Sequence, residues 1–96
     1  MKPSAALQAY KDLIRQVAAR NHACNPRVFG SVLHGTDGDN SDIDLLVDAL
    51  PGATLFDLGA IQIELEEILG VSVDVLTPGD LPVKYRERVL REAVPV

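Results

Sequence analysis

The sequence predicts a single α+β domain. Three sets of apolar residues recur at helical spacing: Leu7, Tyr10, Ile14 and Val17; Leu58, Ile61, Leu65 and Ile68; and Leu81, Tyr85 and Val89. Between them lie short strand-like stretches, Arg27 to Phe29, Asp42 to Val47 and Val71 to Leu76, each bounded by Gly, Pro, Asn or Asp. The 96 residues suit one domain, and no repeat, low-complexity segment or interdomain linker interrupts them.

In chain order, Pro3 and Ser4 open a first helix that ends near Asn21. A short strand stops at Gly30 and hands over to Ser31, which is expected to cap the turn Val32 to His34. A helix start leaves backbone N–H groups unpaired, so this strand-to-helix junction is a candidate phosphate cradle. Gly35 to Ser41 has the Gly, Asp and Asn mixture of a mobile turn, with no apolar side chain to anchor it. Pro51 and Gly52 break the chain after the second strand, Thr54 caps the next helix and Gly70 closes it. Thr77, Pro78 and Gly79 turn the chain after the third strand, and the last helix starts near Asp80. That helix gathers Lys84, Arg86, Arg88 and Arg91; we read it as a solvated helix with cations near its C-terminus, phosphate or partner contact being the alternative.

Composition narrows the function classes. With 47% hydrophobic and 24% charged residues the chain is globular, not disordered. Its size buries somewhat over about 60% of the unfolded surface, a modest core that a partner could extend. A net charge of -5 disfavours direct binding of DNA or RNA, although a small anion carried with a metal escapes that objection. Cys24 is the only cysteine, so no internal disulfide forms; a reducing compartment and a small, partly buried side chain are expected. No apolar run approaches the roughly 18 residues of a membrane span, and the N-terminus lacks a signal peptide's hydrophobic core, so the expected location is the cytoplasm.

The chemistry concentrates in Gly30 to Val47, GSVLHGTDGDNSDIDLLV. Side chains two apart on a strand share a face, so Asp42 and Asp44 project together while Ile43, Leu45 and Val47 face the core. The same alternation puts Asp74 opposite Val71, Val73 and Val75. If the second and third strands are neighbours, three carboxylates converge. Like charges about 4 Å apart repel by roughly 1 kcal/mol in water and about 4 kcal/mol at an effective dielectric of 20, a penalty that a divalent cation removes. Magnesium suits such a site, because it takes hard oxygen ligands and is commonly held by one or two carboxylates plus substrate phosphates. With two metals bridging attacking and leaving oxygens, Asp74 could hold the second and help deprotonate an incoming hydroxyl. The plainer alternative is three unrelated surface carboxylates; the spacing to Gly30 and Ser31 favours the metal site.

Two overlapping motifs fail. The run Asp37, Asp39, Ser41 to Asp48 begins like a calcium loop, but Asp42 stands where the turn glycine belongs and Asp48 where the final Glu belongs. Gly30 to Thr36 has the glycine spacing of a P-loop but carries Thr36 in place of the phosphate-binding lysine.

Gly30-Ser31, ten intervening residues, Asp42-Ile43-Asp44 and a later strand carrying Asp74 resemble the DNA polymerase beta-like nucleotidyltransferase superfamily. The chain's size and its ending, Glu87 to Ala93, are similar to the minimal nucleotidyltransferases, the MNT antitoxins encoded beside HEPN-domain toxins. The resemblance covers nearly the whole chain and implies a small mixed sheet backed by helices. It implies nucleotide contacts by Gly30, Ser31 and Ser41, and magnesium binding, one or two ions, by Asp42, Asp44 and Asp74. It also implies transfer of AMP from ATP to a tyrosine of the partner toxin, whose RNase activity is thereby blocked. One departure stands out: Leu33-His34-Gly35 replaces the frequent Ala-Arg-Gly, so a fixed cation becomes a titratable one. A phosphate contact and a solvated turn residue both remain open for His34.

The expected function is therefore an ATP- and magnesium-dependent protein adenylyltransferase in a hetero-oligomer with a HEPN toxin, with neither nucleic acid nor membrane as direct partner. No second domain for an acceptor is evident, so the partner is expected to complete the cleft. An antitoxin that neutralises by binding alone is the alternative from another class; transfer to a small molecule ranks last.

Overall fold

The computed structural model describes residues 2–38 and 41–96. Its elements are α1 (Pro3–Ala9), α2 (Lys11–Arg20), β1 (Ala23–Phe29), α3 (Ser31–His34), β2 (Ile43–Ala49), α4 (Leu55–Leu69), β3 (Val73–Leu76), a 3-10 turn (Pro78–Asp80), α5 (Val83–Glu92) and β4 (Val94–Pro95). The strands form one mixed sheet in the order β3-β2-β1-β4, antiparallel throughout except for the parallel pair β2 and β3. The expected α+β class and mixed sheet are both present.

The parallel pair follows from α4. A parallel neighbour needs a crossover, and a 15-residue helix between β2 and β3 supplies it. Thr54 accepts the Asp57 N–H while the Asp57 carboxylate accepts the Thr54 N–H at 2.9 Å, a reciprocal cap that fixes where the helix begins. Gly70, at φ 70°, ends it in the left-handed conformation that glycine adopts without strain. Ile61, Leu65 and Leu69 are buried on its inner face, with Leu58 and Ile68 partly buried beside them.

One face of the sheet carries the core. Val28, Ile43, Leu45, Val47 and Val73 meet Leu7, Ile14 and Val17 from the first two helices and the inner face of α4. The other face holds Arg27, Asp44, Asp48 and Asp74. Leu46 also lies there, fully buried outside the main cluster, where β2 meets the 3-10 turn that leads to the buried Leu81. Arg27 is 9% exposed and is satisfied by the Asn25 carbonyl at 2.9 Å and by both carboxylate oxygens of Asp48 at 3.2 Å. That guanidinium holds the Asp48 carboxyl below its ordinary value.

Several expectations are corrected. The first helix is two helices, broken at Tyr10, whose φ of -123° leaves the helical region. The first strand begins four residues earlier, at Ala23, and carries an irregularity between Cys24 and Arg27 where Asn25 takes a positive φ. Cys24 is exposed, not partly buried, because its side chain falls on the solvent side of that irregular segment. The third strand starts at Val73, the last helix at Val83 after the separate 3-10 turn, and β4 has too few residues to show a periodicity. Asp39, which the calcium-loop comparison counted, lies outside the described residues. Among those described, no helix is long and apolar enough to cross a membrane.

Strand β3 is an edge. Because the parallel ladder uses the Ser72 carbonyl, which accepts the Ile43 N–H at 2.9 Å, the Val73 N–H turns outward, and the Glu66 carboxylate accepts it at 3.0 Å.

Thr54→Ala removes a reciprocal cap and is expected to destabilise the fold by about 1 kcal/mol, measurable by chemical denaturation with an unchanged m-value.

Candidate active site

The register decides which carboxylates meet. Ile43 pairs with Val73, Asp44 with Asp74 and Leu45 with Val75. Neighbouring strands lie about 4.8 Å apart, so the side chains of Asp44 and Asp74 stand next to each other on the face opposite the core. Asp42 precedes β2 by one residue and is exposed; Asp44 is half-buried; Asp74 is exposed on the edge strand.

Burial pushes the Asp44 carboxyl above its ordinary value, and the charges of Asp74 and Asp42 push it further in the same direction. Asp44 therefore senses both of the other aspartates. Their donor set, hard carboxylate oxygens carrying a mutual repulsion, fits a divalent cation such as magnesium. Among the described residues, however, no group of three His, Cys, Asp or Glu side chains is gathered tightly enough to hold a metal unaided. Such a set suits an ion that also takes oxygens from phosphate and water.

The other flank of Asp44 is Gly30. Phe29 pairs with Asp44 across β1 and β2, so Gly30 begins just beyond that pair. Its backbone, φ 76° and ψ -150°, is one that L side chains rarely adopt. A Cβ there would also land on Asp44 Oδ2 and lie 3.2 Å from Asp44 Cγ. Glycine is thus favoured twice, by the positive φ of the turn and by the Asp44 carboxylate, whose end would have to move to admit a side chain.

Gly30, not Ser31, is the capping residue of α3, a correction to the expected Ser31 cap. Ser31 is the first helical residue; the turn needs the positive φ one position earlier, and Ser31 instead offers its carbonyl to the Thr36 N–H at 3.0 Å. Ser41 sits at the far end of the loop, where its hydroxyl accepts the Gly38 N–H at 2.9 Å and its own N–H donates to the Gly38 carbonyl at 3.1 Å. His34 places Nε2 3.4 Å from Glu92 Oε2 on α5, a partner that its sequence neighbours do not reveal.

Asp37, counted before only as part of a failed calcium loop, accepts the Ser4 N–H on Oδ2 at 3.1 Å and is 8% exposed. The loop taken as mobile for want of an apolar anchor has a polar one. Its Asp-rich composition was the available signal, but nothing in the sequence pointed to a partner 33 positions away.

The mixed sheet in the order β3-β2-β1-β4, with its parallel pair bridged by a helix, is the fold of a nucleotidyltransferase domain. The chain belongs to the nucleotidyltransferase domain family, whose pattern matches residues 14–96. It is 44% identical over 69 residues, 72% of this chain and 74% of the relative, to a candidate protein adenylyltransferase of Methanocaldococcus jannaschii. It is 36% identical over 67 residues to the protein adenylyltransferase MntA of Thermococcus cleftensis, covering 70% of this chain and 68% of that one. A solved candidate minimal nucleotidyltransferase superposes with a TM-score of 0.86 at 41% identity, over 97% of this chain and 95% of the other. A crystal structure of a toxin-antitoxin with AMP-PNP shares the fold, with a TM-score of 0.74 at 22% identity over 88% of this chain and 70% of that chain.

Two outcomes follow from the Gly30 and Asp44 geometry. Gly30→Ala is expected to cost about 1–3 kcal/mol of stability, read by thermal or chemical denaturation. Asp44→Asn is expected to raise the melting temperature of the metal-free protein at pH 7. The folded state disfavours the charged form of Asp44, so its penalty is present above the folded pKa and disappears as pH falls through the carboxylate range. The gain should accordingly shrink in melts near pH 4.

Proposed function

We propose that this chain transfers AMP from ATP to a hydroxyl of a cognate protein toxin, a tyrosine of a HEPN-domain RNase, and so neutralises it. The observation that carries the reading is the in-register pairing of Asp44 with Asp74, with Gly30 packed against the first of them. The protein adenylyltransferase relatives support the reaction class, and the toxin-antitoxin neighbour with AMP-PNP supports both the nucleotide and the kind of partner.

Asp42 and Asp44 would hold magnesium, with Asp74 available for a second ion. When bound, the metal supplies charge neutralisation along the triphosphate and lowers the pKa of the attacking hydroxyl. Gly30 lets the backbone approach the phosphates without a side chain in the way, Ser31 opens α3 toward them, and Ser41 closes the loop on the other side. The acceptor oxygen attacks the α-phosphorus and forms the new P–O bond. The bond from that phosphorus to the α,β-bridging oxygen breaks, and pyrophosphate leaves with the electron pair. Asp74, exposed on the edge strand, would accept the hydroxyl proton. The carboxylates must be ionised to do this, and because the metal-free chain favours the protonated form of Asp44, protons are expected to compete with magnesium on acidification, so that the magnesium needed for half-maximal activity rises as pH falls.

The test is intact-mass measurement of the toxin co-expressed with this chain. An adenylyl increment is expected, falling by about 100-fold or more in initial rate with Asp44→Asn or Asp74→Asn. A toxin that is neutralised yet never gains mass would instead show an antitoxin that works by contact alone.

A further inference from the structure

Between the glycine turn and the aspartates, the described residues on both sides of Asp37 make backbone ties. The Thr36 N–H and hydroxyl donate to the Ser31 carbonyl at 3.0 and 3.4 Å, tying Thr36 to α3. The reciprocal bonds between Gly38 and Ser41 lie just before Asp42. Asp37 stands between these ties, and its carboxylate accepts the Ser4 N–H in the first turn of α1.

That helix lacks a cap of its own. Its capping residue is Lys2, whose side chain makes no cap bond, and none of its first-turn residues is acidic. Asp37 provides from a distance what the local sequence omits. The helix so capped packs against α3 and against β2, the two elements that carry Gly30-Ser31 and Asp44. The helix α1, the helix α3 and the chain from Gly35 to Asp37 thus close a ring, and the bond from Ser4 to Asp37 is where the ring is joined.

We propose that Asp37 is a positioning residue for the nucleotide: by capping α1 it seats the chain that follows α3, Gly35 to Gly38, against the N-terminal helix, and thereby sets the affinity for magnesium–ATP. This rests on the functional reading above. The Ser4 N–H, and in smaller measure its hydroxyl, hold the Asp37 carboxyl below its ordinary value, so the latch stays charged throughout the neutral range.

Magnesium–ATP titration of the purified chain, well below the melting temperature, tests this. Asp37→Ala is expected to weaken binding by about five- to tenfold, the scale of one lost cap. Ser4→Pro removes the donor but is tolerated in a first helical turn, and should give a similar loss. The double variant should be no worse than either single one, since both break the same bond. Asp37→Asn keeps an acceptor oxygen and should restore most of the affinity. A cap that serves only stability would lower melting temperatures and leave affinity unchanged, and that result overturns the proposal, as does additivity in the double variant. If Asp37→Ala fails to fold, Ser4→Pro and Asp37→Asn carry the comparison. Failure of the site itself is seen separately, in a wild-type chain that ignores magnesium–ATP or an Asp44→Asn chain that binds it equally well, and the positioning role falls with it.

Discussion

The parallel pairing of β2 with β3 is the constraint on which the rest depends. Had the two strands slipped by one residue, Asp74 would face the core beside Ile43 and Leu45, and the valines of β3 would face solvent. The register is held from both sides of the sheet. Val73, Ile43 and Leu45 are sealed against helices on one face, while Leu46 is buried near the 3-10 turn on the other. The hydrophobic effect therefore pays for an electrostatically unfavourable neighbourhood: apolar burial fixes the strands, and the strands oblige the carboxylates to meet.

Much of this was legible in the residues. Alternation along Asp42 to Val47 and Val71 to Leu76 gave the correct faces, and the Thr54 and Gly70 signals bounded α4 to the residue. These are local rules, read from neighbours in the chain. What escaped were features set by partners far away. Tyr10 breaks a helix that its periodicity would continue, and its partly buried ring packs against the core. Arg27 is buried because Asp48, on the next strand, receives it. Asp37 looked like one more solvated loop carboxylate because its donor belongs to the N-terminal helix.

The site itself was legible in part. The aspartate ladder could be drawn from periodicity, but the reason for glycine at position 30 could not. The sequence shows a strand stop, whereas the fold shows a carboxylate occupying the space where a side chain would be. His34 was open between phosphate contact and solvent, and its nearness to Glu92 adds a third relationship, in which α5 and the turn after Gly30 are joined across the domain.

The bond from Val73 to Glu66 reaches beyond strand geometry. An edge strand offers outward donors and acceptors to any other chain, and a sheet that accepted a fifth strand beside β3 would bury the exposed flank of Asp74. With a glutamate already seated on one of those donors, an incoming strand must first displace a charge from its hydrogen bond. A side chain from the crossover helix thus occupies a donor of the edge strand one residue from the outermost aspartate, so extension of the sheet on that side begins with the loss of a bond the domain already makes.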